Sequence, residues 1–151
     1  MEQLRNKQGF ICDMDGVIYH GDRLLPGVKE FVDWLYRENK KFLFLTNASS
    51  RSPKELQQKL GRMGLDVDES HFYTSALATA KFLSHQSPNC SAYVIGDPGL
   101  YNALHDAGIT INTVDPDYVI VGETSNYNYE SICQAVRHVL HGAKLIGTNT
   151  D

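Results

Sequence analysis

Short apolar runs alternate with helical patterns along almost the whole of this 151-residue chain, and each run stops abruptly at small or acidic residues. Gly9-Phe10-Ile11-Cys12 ends in Asp13-Met14-Asp15-Gly16, and Lys41-Phe42-Leu43-Phe44-Leu45 ends in Thr46-Asn47-Ala48-Ser49. Near-continuous apolar strands of this length belong to parallel sheets covered on both faces. After an irregular stretch punctuated by Gly, Asp and Pro, Pro26 opens a helix whose Val28, Phe31, Val32 and Leu35 follow the i, i+3, i+4, i+7 pattern. Ser52-Pro53-Lys54-Glu55 supplies an N-cap, a first-turn proline and a capping-box glutamate for a second helix, which runs through Leu56, Leu60 and Met63 to Gly64. A short strand over 71–73 and a helix over 75–85 precede a break at Ser87-Pro88-Asn89. Two βα units follow, a strand over 92–95 with a helix closed by Gly108, and a strand over 118–121 with a helix over 129–140 closed by Gly142. A last strand over 144–146 ends in Gly147-Thr148-Asn149-Thr150-Asp151. Strands and helices alternating in this way specify an α/β protein with largely parallel sheets.

Composition narrows the class of function. At 42% hydrophobic residues the chain can bury a core, and 14 Lys+Arg against 18 Asp+Glu give a net charge of -4, which excludes a basic nucleic-acid footprint. The apolar runs are strand-sized, far short of the roughly 20 residues of a membrane helix. No apolar region follows the opening MEQLRNKQ, so no secretory signal is legible and a cytoplasmic location is expected. Cys12, Cys90 and Cys133 are scattered, without CxxC spacing, and fit reduced core thiols better than disulfides or a zinc site. The six histidines lack metal-ligand spacing.

The chemistry lies at the strand ends. Ligands of open α/β sheets bind beyond the carboxyl ends of the strands, and there Asp13 and Asp15 stand two residues apart. Alternation along an extended segment points both carboxylates the same way, and two such charges need a cation or a shared proton. Mg²⁺, a hard ion held by oxygen ligands, suits the pair. With a phosphate monoester in line, Asp13 could attack phosphorus while Asp15 handles the leaving-group proton. Gly16 would let the chain turn away without a side chain over the ligand. At the end of the next strand, the Thr46 hydroxyl and the N–H groups of Asn47 and Ala48 could hold phosphoryl oxygens. Each feature alone has an ordinary structural reading, a DxD turn or a Thr-Asn cap. Their pairing after two apolar strands favours a phosphate site.

The segments FICDMDGVIYHG and LFLTNAS closely resemble the first two motifs of the haloacid dehalogenase (HAD) superfamily of phosphotransferases, in its NagD-like branch. LLPGVKEF, HFYTSALATAKFL, PDYVIVGETSNYNYE and the terminal IGTNTD resemble further stretches of that branch. The resemblance implies a Rossmann-like parallel-sheet core with an inserted α/β cap, of which residues 1–81 would be the front of the core and residues 82–151 the front of the cap. It implies that Asp13 is the aspartyl nucleophile and a Mg²⁺ ligand, that Asp15 is the acid/base and binds Mg²⁺ through its carbonyl, and that Thr46 and Asn47 contact phosphate. The expected activity is Mg²⁺-dependent hydrolysis of a small phosphorylated metabolite, with self-association allowed and neither nucleic acid nor membrane as partner.

The family places a lysine and an acidic GDxxxxD motif after its cap, and no match for either stands in these residues. The expectation is therefore that the sequence is the front part of a longer chain. Gly96-Asp97 imitates the acidic motif, but Tyr101 and Asn102 stand where its second acid belongs, so it reads as a helix start. Lys81 and Lys144 read as solvated side chains. Glu123, after the run 118–121, could face substrate or simply solvent. Tyr19, His20 and Asp22 fall where the family has a mobile flap; Trp34, Tyr127 and Tyr129 read as packing residues. The competing readings are a catalytically silent phosphate-binding or oligomerisation module and, less suited to two acids on the first strand, a phospho-accepting receiver domain. Exposed sheet edge and uncovered apolar surface are expected for such a front part, with a tendency to aggregate or self-associate.

Overall fold

The computed structural model describes residues 2–150, so Asp151 of the IGTNTD stretch lies outside the described residues. In chain order the elements are α1 (Glu2–Arg5), β1 (Gly9–Asp13), β2 (Tyr19–His20), β3 (Arg23–Leu24), α2 (Val28–Arg37), β4 (Lys41–Thr46), α3 (Pro53–Arg62), a 3₁₀ turn (Glu69–His71), β5 (Phe72–Thr74), α4 (Ser75–Gln86), β6 (Ser91–Ile95), α5 (Pro98–Asp106), β7 (Thr110–Ile111), β8 (Tyr118–Val121), α6 (Tyr129–Leu140) and β9 (Lys144–Gly147). The fold is α/β with parallel sheets, as the alternating pattern predicts. The chain gathers into two compact units. One holds residues up to Thr46 together with Pro53–Tyr73; the other holds Asn47–Ser52 together with residues from Thr74 onward.

In the first unit β1, β4 and β5 form a sheet in that order, with β1 at its edge. β1 and β4 run parallel in the register Gly9↔Lys41 through Asp13↔Leu45. One face of α2 buries Val28, Val32 and Leu35, the residues its 3.6-residue period selects. They join Met14, Ile18, Phe44, Leu60 and Leu65 in one apolar core. Trp34 packs at the margin, its ring 5.6 Å from Phe10 and 6.0 Å from Phe31. The His71 ring stacks on Phe42 at 3.8 Å.

The segment read as irregular holds a small antiparallel hairpin, Tyr19↔Leu24 and His20↔Arg23. Strands of two residues are too short to show a period. Tyr19 is buried at 4% exposure beneath the Lys59 ammonium, 3.8 Å from its ring centre, so it packs rather than gates.

The second unit carries a parallel sheet in the order β7-β6-β8-β9. Between that sheet and α4 and α5 lies a core of Ala76, Ala80, Leu83, Val94, Leu100, Leu104 and Ile120. On the sheet's other face Tyr93, Ile95, Val119 and Ala135 pack together. Tyr129, expected to pack, is 85% exposed; it lies roughly 120° around the helix from buried Ala135. Ile132, Val136 and Leu140, spaced by four along α6, are also exposed.

Candidate active site

Gly9–Asp13 extends as far as the first carboxylate, and the chain then turns sharply. The Met14 carbonyl accepts from the N–H groups of Val17 (3.2 Å), Ile18 (2.8 Å) and Tyr19 (3.3 Å), while the Gly16 N–H donates to the Tyr19 carbonyl at 2.8 Å. Met14 itself is fully buried and both neighbouring aspartates are exposed. The apolar side chain therefore anchors the turn and leaves the two carboxylates at the surface. The Met14 N–H donates to Asp13 Oδ1 at 2.8 Å, a backbone bond that orients the carboxylate. Gly16 has φ +77°, and a Cβ added there would meet nothing within 4 Å. The left-handed backbone requires glycine, and the space above the turn is open. Burial pushes the Cys12 thiol up, which keeps this neighbour of Asp13 protonated and a poor nucleophile.

The parallel register sets Asp13 opposite Leu45, so Thr46 is the next residue beyond that pair and the last of β4. Thr46 is buried, at 4% exposure. The predicted Asp13 and Thr46 thus stand at the ends of two adjacent parallel strands, with Asp15 and Gly16 in the turn that follows the first. Asn47 follows Thr46 in the chain and belongs to the second unit, where its carbonyl accepts from Ser75 Oγ at 2.6 Å.

The Asp13 carboxylate and the Asp15 main-chain carbonyl are oxygen donors of the kind a hard divalent cation takes, and both residues are exposed on one turn. Among the described residues no group of three or more His, Cys, Asp or Glu side chains converges as a metal cage. The pair fits Mg²⁺ as part of a shell completed by water and substrate oxygens.

The remaining candidates separate clearly. Asp97 is the N-cap residue of α5, in line with the helix-start reading, although its side chain makes no capping bond and accepts from Thr124 Oγ1 at 2.6 Å. Lys81 and Lys144 are exposed. Glu123 is exposed, and its Oε2 accepts from Ser50 Oγ at 3.3 Å. Tyr127 donates through its hydroxyl to the Gly122 carbonyl at 3.0 Å. Sequence reasoning passed over Ser49 and Ser75, whose hydroxyls bond the chain beyond Thr46 within the second unit. Isolated serines carry no spacing signal, so only the tertiary structure reveals them.

Comparison with known proteins adds family evidence to this geometry. The profile of the haloacid dehalogenase-like hydrolases matches residues 10–110. The ribonucleotide monophosphatase NagD of Escherichia coli (strain K12) is 43% identical over 141 residues, covering 93% of this chain and 56% of that protein. The dihydroxyacetone phosphatase of Corynebacterium glutamicum (strain R) is 40% identical over 142 residues, covering 94% of this chain and 52% of that protein. The solved structure of NagD from the E. coli K-12 strain superposes with a TM-score of 0.90 at 42% identity, covering 95% of this chain and 57% of the other. The chain therefore spans a little over half the length of these relatives.

Proposed function

The chain belongs to the haloacid dehalogenase-like hydrolase family, and from that premise we propose that it serves a Mg²⁺-dependent phosphatase of small phosphorylated metabolites. The observation that carries the reading is the parallel register of β1 and β4, which sets Asp13 and Thr46 at adjacent strand ends. Relatives named as a ribonucleotide monophosphatase and a dihydroxyacetone phosphatase support the substrate class.

In this reading an Asp13 carboxylate oxygen attacks phosphorus, and the phosphorus–oxygen bond to the alcohol breaks. Asp15 gives its proton to the departing oxygen. A water then attacks the aspartyl-phosphate, passing a proton to Asp15, which frees inorganic phosphate and restores Asp13. The Thr46 hydroxyl and the Asn47 N–H bind phosphoryl oxygens, and Gly16 keeps the approach clear. Asp13 and Asp15 would hold Mg²⁺, which when bound offsets negative charge on the phosphoryl group. The core-and-cap division at residues 81 and 82 stays part of the proposal, with α4 spanning it. A cytoplasmic location belongs to it too; the three thiols are free, and no helix among the described residues is long and apolar enough to cross a membrane.

The test is Asp13→Asn in the full-length protein. Asparagine can still accept the Met14 N–H, so folding should be kept while turnover of small phosphate esters falls by about 10⁴-fold or more, as for other covalent nucleophiles. Magnesium-dependent hydrolysis at the wild-type rate in this variant would refute the assignment.

A further inference from the structure

The six residues Asn47–Ser52, between β4 and α3, are held by the second unit to which they belong. Ser75 Oγ donates to the Asn47 carbonyl at 2.6 Å. The Glu123 N–H donates to Ser49 Oγ at 2.9 Å, and Ser50 Oγ donates to Glu123 Oε2 at 3.3 Å. The Gly99 N–H donates to the Ser50 carbonyl at 3.2 Å. Ser49 is fully buried, a place a hydroxyl takes only with a partner.

The fit is also steric. A Cβ on Gly99 would lie 2.6 Å from the Arg51 carbonyl carbon and 2.7 Å from the Ser50 carbonyl oxygen. A Cβ on Gly122 would lie 2.7 Å from Ser49 Oγ and 2.6 Å from Leu100 Cδ2. These distances are below carbon contact, so the two glycines are the space into which the segment fits. Gly122 and Glu123 follow directly on β8, and Gly99 sits in the first turn of α5. Strand end and helix start therefore grip one loop from two sides.

That loop begins at the turn where the phosphatase reading places the phosphate. Backbone N–H donors act on an anion in proportion to how well they are fixed before it arrives. We infer that Ser49 and Glu123, seated against Gly122, are positioning residues for the phosphate-binding turn at Thr46–Ala48. They act through the loop and not on the phosphate. The inference rests on the phosphatase reading and adds to it residues far along the chain from the catalytic motifs.

The experiment uses the full-length protein with Mg²⁺ and reads inorganic phosphate affinity as a product-inhibition constant, beside KM, kcat and thermal midpoint. Ser49→Ala should weaken phosphate binding and raise KM by roughly tenfold, the factor one hydrogen bond carries. Gly122→Ala should do more, because its methyl collides with Ser49 Oγ. Adding Ser49→Ala to Gly122→Ala removes that collision, leaving only the one with Leu100 Cδ2, the far end of a flexible side chain that can turn aside, and should recover part of the lost phosphate affinity. Leu104→Ala, a cavity in the same unit's core, controls for simple destabilisation and should lower the thermal midpoint with phosphate affinity kept. Wild-type phosphate affinity in Ser49→Ala, no recovery in the double variant, or an equal loss of affinity in Leu104→Ala would each overturn the clamp while leaving the phosphatase reading standing. A wild-type protein that neither hydrolyses phosphate esters nor binds phosphate would overturn both.

Discussion

Phe44 offers a test of how the first unit holds its site together. It is fully buried in β4, with ring centres of Phe42 at 5.4 Å and Phe72 at 5.8 Å. In the parallel register it stands opposite Cys12, one residue before Asp13 and two before Thr46. Phe44→Ala removes the ring and leaves a cavity between its aromatic neighbours. Truncations of this kind cost about 3–5 kcal/mol. At roughly 0.05–0.15 kcal/mol per residue, a unit of about 70 residues has a few to about 10 kcal/mol in total. The loss should therefore consume a large part of the first unit's stability. Trp34 makes the measurement selective, because it is the sole tryptophan in the sequence and packs among Phe10 and Phe31 in that unit. Urea unfolding followed by its fluorescence should move to lower denaturant by about 1.5 M or more, taking about 1–2 kcal/mol per M for a unit this small. A loss below about 1 kcal/mol would refute the reasoning, since it would mean that the ring's neighbours collapse into the space or that Phe44 does not hold the strand pair together.

Three further outcomes are expected. Burial raises the thiols of Cys12 and Cys90, the latter helped by the Asp117 charge, so iodoacetamide near neutral pH should modify neither in the folded protein and both in urea; rapid labelling of the native state would contradict this. Hydrogen bonds from the Ser91 N–H and hydroxyl to Asp117 hold its carboxyl below the usual carboxylate range. Its contribution is full above the unfolded pKa and is lost as pH falls through the folded one, so Asp117→Asn should flatten the fall of stability in the acid range below about pH 4; an unchanged acid profile would remove the assignment. The Ile132, Val136 and Leu140 stripe should drive concentration-dependent association, which Val136→Lys should suppress in light scattering at an unchanged thermal midpoint. Equal scattering by the two proteins would place the sticky surface elsewhere.

The helices were legible wherever the apolar period was strong. α6 spans the predicted residues 129–140, and α2 buries three of the four residues chosen from its pattern. β6 and β8 were legible because buried parallel strands are apolar throughout and stop at polar residues. β1 carries the same kind of run but lies at the sheet edge with none of its residues buried and Ile11 74% exposed, so the expectation of a buried strand there is corrected. The hairpin of Tyr19–His20 with Arg23–Leu24 and the two-residue β7 were not legible, because pairs that short are fixed by register and turn geometry rather than by hydrophobic pattern. At the site, Asp13 and Thr46 could be placed because each closes an apolar strand, and Asp15 because it follows Asp13 by two residues. Ser49, Ser75, Gly99 and Gly122 could not. Their importance lies in what approaches them across long sequence separations, and a lone serine or glycine looks the same wherever it stands.

The chain passes from one compact unit to the other at Thr46, returns at Pro53 and leaves again after Tyr73. Anyone dividing this protein for expression would naturally cut after Tyr73, and the resulting piece would keep Asp13, Asp15 and Thr46. It would also keep residues 47–52, but without Ser75, Gly99 or Glu123 to hold them. Such a half could retain its sheet and its carboxylates yet carry a slack loop after Thr46. For the same reason, swapping the second unit for that of a relative would change how residues 47–52 are held.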